Sequence, residues 1–246
     1  MNLEKLARHF FSLYSRRNRI FLPGLRERVD FLNLAIGDLQ DAIRKDYGSR
    51  AIGMALARVV SRIFCITEHF KEFPFVEFMA RKYPATHCNY CQQWPCTCAE
   101  RRPDAILTES ALPEQLNWSL GDWCEYFQLL YGAPNRARGI ENILNRLFKE
   151  VSELLSLSMR VQNGALALPI EKIEEEFALE LADALAWTIA VADCLGINLE
   201  QAVLERYESG CSKCRMNPCH CTYFSMAPVD WKIFIAESPT SSKPAG

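Results

Sequence analysis

Two sets of side chains in this 246-residue chain have types and spacings that can do chemistry. The first is a pair of cysteine runs: Cys88, Cys91, Cys96 and Cys98 in CNYCQQWPCTC, and Cys211, Cys214, Cys219 and Cys221 in CSKCRMNPCHC. Both read C-x2-C-x4-C-x-C, with a proline just before the third cysteine. Four thiolates within 11 residues can wrap one tetrahedral ion, and in a reducing compartment metal ligation is expected over disulfides. Zinc is the expected ion at both sites, with an iron-sulfur cluster as the alternative for the same ligands. A closed four-ligand zinc leaves no open coordination position, so these sites are expected to staple the fold rather than catalyse. The second set is acidic. Glu150 and Glu153 form one i, i+3 pair, and Glu180 and Asp183 form another inside the apolar run FALELADALAWTIAVA. Four carboxylates brought together repel unless a cation fills the gap, and oxygen ligands of this kind suit Mg²⁺ or Mn²⁺.

These groups must be carried on helices. Ile140, Ile143, Leu144, Leu147, Val151, Leu154, Leu155 and Ser158 keep the i, i+3, i+4, i+7 rhythm, which predicts an amphipathic helix of about 25 residues carrying Glu150 and Glu153 at the edge of its apolar stripe. Pro169 and the acidic residues Glu171, Glu174, Glu175 and Glu176 predict the start of the next helix, and Gly196 its end. That helix is apolar nearly all round, so it should be buried with Glu180 and Asp183 on one face. Asn198 with Gln201 predicts a cap for a last helix, Leu199 to about Glu208, leading into the second cysteine run. Strand-like alternation is absent, so the expected fold is all-α.

The chain also repeats itself. The cysteine runs are 123 residues apart, and FFSLYSRRNR at Phe10 aligns with FQLLYGAPNR at Phe127, sharing Phe, Leu, Tyr, Asn and Arg. Leu32 onward aligns with Leu144 onward, pairing Asp38 with Glu150 and Asp41 with Glu153, and Met54 onward aligns with Phe177 onward. In that register Ala57 stands opposite Glu180 and Val60 opposite Asp183. The expected organisation is two tandem helical units, residues 3–98 and 120–221, each ending in its own knuckle. A linker at 99–119 joins them, and a tail follows at 222–246.

Glu150-x-x-Glu153, 26 intervening residues, Glu180-x-x-Asp183 and the following ADCLGINLEQAVLERY resemble the signature of the MazG-like, all-α nucleoside triphosphate pyrophosphohydrolases. The resemblance covers roughly residues 120–210. It implies that Glu150, Glu153, Glu180 and Asp183 hold Mg²⁺ and hydrolyse a nucleoside or deoxynucleoside triphosphate to monophosphate and pyrophosphate. It also implies paired helical units, so that a duplicated chain would be an intramolecular pseudo-dimer with a degenerate first copy, open to further association. The two knuckles are not part of the family pattern.

Other residues carry weaker signals. Arg58 and Arg62 are either substrate-binding, gripping a triphosphate across the interface, or solvated or paired with the acidic unit. Lys149 and Arg206 are either phosphate contacts or solvated. Trp187 either stacks on a base or fills core, and Asn135 with Arg136, repeated as Asn18 with Arg19, bind phosphate or base or form a structural cap. His220, inside the second cysteine run, could compete as a ligand. Residues 1–98 hold 15 Lys/Arg against 9 Asp/Glu and residues 99–246 hold 13 against 21. The net charge of −2 argues against a dedicated nucleic-acid binder. Acids interrupt the longest apolar stretch and no signal-peptide pattern begins the chain, so a cytoplasmic protein without a membrane partner is expected. A catalytically silent nucleotide-binding or protein-docking scaffold is the alternative function.

Overall fold

The computed structural model describes residues 1–70, 74–98, 106–164 and 169–221. The expected tail at 222–246 and residues 99–105 of the expected linker lie outside them. Among the described residues there are eight α-helices and no strand: α1 (Leu3–Phe21), α2 (Leu25–Arg44), α3 (Ser49–Thr67), α4 (Phe75–Lys82), α5 (Leu120–Arg138), α6 (Ile140–Gln162), α7 (Ile170–Cys194) and α8 (Leu199–Tyr207). None of the described helices is long and apolar enough to cross a membrane.

Local chemistry sets the boundaries. Asn2 caps α1 by accepting from the Lys5 N–H, Ser119 and Asp122 form a reciprocal capping box at α5, and Asn198 accepts from the Gln201 N–H at α8. Pro169 precedes the first turn of α7, where a missing N–H costs nothing. Asn2 and Ser119 also pair with each other, so the two capped helix starts meet.

The helices bury one continuous core that joins both halves of the chain. α2 packs on α3, α6 on α7, and α2 on α6 across the middle. The short helices cross over: α8, from the second half, packs on α3, and α4, from the first, packs on α7. Gly53 marks how closely α8 approaches α3, since a Cβ there would lie 3.3 Å from the Ala202 Cβ.

The knuckles cross with them. Cys96 donates its N–H to the Leu130 carbonyl on α5 at 3.0 Å, and Cys219 donates its N–H to the Leu13 carbonyl on α1 at 2.7 Å. Leu13 and Leu130 are equivalent positions of the sequence repeat. Each knuckle thus follows its own unit in the sequence but not in space. Each is seated on the opposite half, because α4 and α8 carry them across the central packing.

The repeat extends to side-chain geometry. Tyr83 lies edge-on to Phe127 at 4.9 Å and to Tyr131 at 6.4 Å, while Tyr207 lies edge-on to Phe10 at 5.2 Å and to Tyr14 at 6.2 Å. Both knuckles have a cis peptide bond before proline, at Pro95 and Pro218, and a positive-φ residue at equivalent positions, Gln92 and Arg215.

Candidate functional site

All eleven cysteines are free thiols. In each knuckle the four sulfurs lie within 4.8 Å of one another. Cys88 and Cys98 are 3.7 Å apart, Cys211 and Cys221 3.8 Å, and Cys214 and Cys219 3.9 Å. A tetrahedron with Zn–S bonds of about 2.3 Å has edges of about 3.8 Å, so the sulfur sets fit a zinc ion. Backbone N–H groups of Tyr90, Cys98 and Cys221 point at sulfurs, which stabilises negative charge there. His220 stays out of this set: its Nδ1 accepts from Arg16 Nη1 at 3.2 Å.

The acidic residues meet where α6 packs on α7. Carboxylate oxygens of Glu150, Glu153 and Glu180 lie within 4.8 Å of one another. Glu150 is 7% exposed, and one oxygen of Glu180 is buried with no hydrogen-bond partner. Asp183 is not part of this trio. Its carboxylate accepts from the Tyr83 hydroxyl and from Lys82 Nζ at 2.7 Å, and Lys82 also donates to the Leu179 carbonyl at 2.9 Å. Lys149 sits at the rim, 2.7 Å from Glu153 and 3.9 Å from Glu150.

The electrostatics follow from burial and crowding. Burial, reinforced by Asp183 and Glu153, pushes the Glu150 carboxyl up to about 8. Burial also raises Glu180; Lys82 opposes it and Asp183 and Glu153 reinforce it, leaving the carboxyl at about 7. For Glu153 burial is outweighed by hydrogen bonds from Lys149 and Glu150, and the carboxyl falls below its ordinary range. With all four carboxylates ionised, the two lysines would leave a charge of −2, the charge that one divalent cation neutralises. The all-oxygen donor set and the unpartnered Glu180 oxygen fit Mg²⁺ or Mn²⁺.

Beside Asp183, Tyr83 forms one wall of a small cavity of about 30 Å³ lined also by Phe127, Tyr131, Asn135, Ala186 and Trp187. That is room for a water molecule or two, well below the volume of a small-molecule site. No family model, curated protein or solved structure matches the chain.

The first half shows what closes the same framework. Arg58 ion-pairs with Asp38 there, and the Tyr207 hydroxyl meets Ser61 as the Tyr83 hydroxyl meets Asp183. The residues facing Glu180 and Asp183 are thus Arg58 and Ser61, and the expected register with Ala57 and Val60 is one residue out. Ala57 and Val60 are fully buried core. Asp41, the counterpart of Glu153, is held by Lys45 at 2.7 Å and Arg44 at 3.2 Å. In the same register Ala186 and Ala190 become Phe64 and Glu68. Phe64 stacks on Phe10 at 5.9 Å, and Glu68 binds Asn18 and Arg28, so side chains occupy the positions that line the pocket in the second half.

Of the other candidates, Lys149 borders the carboxylates and Trp187 lines the pocket. Arg58 is engaged by Asp38. Arg62 is buried against Phe31, its guanidinium 5.5 Å from that ring, and Arg206 binds the Tyr207 hydroxyl at 3.0 Å on the α3 side. None of these three contacts Glu150, Glu153 or Glu180: Arg58 and Arg62 lie on α3, and the crossover sets Arg206 beside α3 as well. Arg136 pairs with Asp193 at 3.1 Å, and Asn135 accepts from Arg138 at 3.1 Å. Lys82 and Tyr83 are the site residues the motif reading missed. Their signal was present: Lys82-Tyr83 before the first cysteine run is matched by Arg206-Tyr207 before the second, displaced by one residue relative to the cysteines.

Proposed function

We propose that the chain is a fused pair of MazG-like helical units whose C-terminal half hydrolyses nucleoside or deoxynucleoside triphosphates to monophosphate and pyrophosphate. The observation that carries this reading is the meeting of Glu150, Glu153 and Glu180, with an unpartnered buried oxygen on Glu180, beside a small aromatic cavity. Glu150, Glu153 and Glu180 would hold Mg²⁺, which supplies charge neutralisation to the phosphates and acidifies a bound water. Lys82 and Tyr83 fix Asp183 at the border between the carboxylates and the pocket, so its free lone pairs are available to a water approaching the α-phosphorus. Lys149 presents a cation at the open rim, where the outer phosphates would lie. The partly exposed Trp187 ring at that cavity offers a stacking surface for a base. Zinc in the two knuckles would hold α4 and α8 in their crossed positions and take no part in the reaction.

A panel of nucleoside and deoxynucleoside triphosphates with Mg²⁺, analysed for products, tests the reading. Monophosphate and pyrophosphate are expected, and Glu180→Gln should abolish their formation. Release of orthophosphate would change the reaction class. No turnover of any substrate would leave a binding scaffold in its place.

A further inference from the structure

In the first half, three arginines are nine-tenths buried: Arg17, Arg62 and Arg206 are 8%, 7% and 9% exposed. They converge on two tyrosines. Arg17 lies 4.0 Å over the Tyr14 ring, Arg206 Nε donates to the Tyr207 hydroxyl at 3.0 Å, and the field of Arg62 reaches both tyrosines. Arg58 and Arg17 are the cations acting most strongly on Arg62. Arg58 is neutralised by Asp38, whereas Arg17, Arg62 and Arg206 form no ion pair with any described residue.

Their donors are left over as well. Arg17 Nε and both Nε and Nη1 of Arg62 are buried without a hydrogen-bond partner. Removing a guanidinium from water without pairing it is strongly unfavourable, and the ring faces at Tyr14 and Phe31 offset only part of that cost. Burial, then Arg17 and Arg58, lower Arg62 to about 10, so it stays charged at neutral pH. Burial alone would raise the Tyr207 hydroxyl, yet Arg206, the Ser61 hydrogen bond and Arg62 hold it below its ordinary value. Three like charges, two of them with unpartnered N–H donors, thus gather around Tyr14 and Tyr207.

We propose that Arg17, Arg62 and Arg206 form a second ligand site, which binds a phosphoryl anion in the N-terminal half. Guanidinium forks match the oxygens of phosphate bidentately, and the spare donors of Arg17 and Arg62 would each gain an acceptor. Ser61 and Tyr207 add hydroxyls. The site is independent of the proposed hydrolysis, since it needs neither the carboxylates nor their divalent ion.

The test uses the full zinc-loaded chain without added Mg²⁺, titrated calorimetrically with orthophosphate, pyrophosphate and a nucleoside monophosphate. One equivalent is expected, with a Kd of about 1 mM or tighter, retained in Glu180→Gln and weakened at least about tenfold in Arg62→Gln. Tighter binding of the monophosphate than of orthophosphate assigns a nucleotide as the source, and equal or weaker binding assigns free phosphate. In the unaltered protein, pyrophosphate should shift the Nε–Hε resonances of Arg17 and Arg62, a readout that holds even if Arg62→Gln does not fold. No binding up to about 10 mM, binding unchanged in a folded Arg62→Gln, or unmoved arginine resonances would overturn the proposal.

Discussion

The affinity of the carboxylate trio for a divalent cation should depend steeply on pH, and the structure fixes the slope. A cation must displace the protons on Glu150 and Glu180, whose carboxyls sit at about 8 and about 7. The fraction of sites with both ionised falls roughly tenfold from pH 8 to 7 and about fiftyfold more from pH 7 to 6. Mn²⁺ affinity should therefore drop about 500-fold over those two units, against almost no change for a site of ordinary carboxylates. The cation-free protein should move the opposite way. Both carboxyls are raised above their unfolded value, so their contribution to stability is full below about pH 4.5 and is lost as pH rises through 7 and 8. Added Mn²⁺ should thus raise the melting temperature at pH 8 and hardly at pH 6. Mn²⁺ binding can be followed by the loss of its free paramagnetic signal, with Glu150→Gln as the control that flattens the curve. An affinity that varies less than about tenfold between pH 6 and 8 would refute the idea that this burial and crowding select a cation.

Three other outcomes are expected. Ala186→Phe places in the second half the ring that Phe64 supplies in the first; it should cost at most about 3 kcal/mol in urea unfolding and lower kcat/KM at least about tenfold while leaving Mn²⁺ affinity unchanged. Arg58→Met leaves Asp38 without its cation and should destabilise the protein by about 2 kcal/mol, measured by urea unfolding, with no effect on turnover. Elemental analysis should find two zinc ions per chain, and Cys214→Ser should lose one of them and lower the melting temperature by more than about 5 °C, although that knuckle belongs to the second half and rests on the first.

Most of the helical framework can be read from the sequence, because its signals are local. The apolar rhythm from Ile140, the cap at Asn198 and the acidic start of α7 each depend on a few neighbouring residues, and α6, α7 and α8 begin and end close to where those signals put them. The meeting of Glu150, Glu153 and Glu180 follows from two i, i+3 pairs on helices long enough to pack together. The crossover is different. Whether α8 lies on α7 or on α3 depends on which surface buries it better, and no spacing in the chain records that choice. Arg206, expected as a phosphate contact or a solvated side chain, is for that reason buried beside α3 instead, and Lys82 and Tyr83 escape the motif reading. The register error at Arg58 has a second origin: α3 is so rich in Ala, Val and Ile that a shift of one residue preserves its apolar pattern, and only the Asp38 ion pair and the Tyr207 hydroxyl fix the alignment.

The two halves solve one electrostatic problem in opposite ways. Packing α2 on α3 and α6 on α7 brings acidic positions of the repeat toward the same kind of junction. In the first half covalently attached cations answer them: Arg58 takes Asp38, while Lys45 and Arg44 take Asp41. That junction needs no ion and cannot exchange one. In the second half the position of Arg58 is Glu180, so the junction gains a negative charge where its counterpart has a positive one, and Lys149 and Lys82 offset only half of the total. On the proposed reading, a framework that holds an internal cation in one copy and lacks it in the other would have moved the neutralising role from the chain to a dissociable partner. The same substitution pattern opens space, since Ala186 and Ala190 stand where Phe64 and Glu68 fill the first half. The unanswered carboxylates and the small cavity therefore occur together in one half and are absent together from the other, which is the arrangement that the proposed division of labour between the two copies would require.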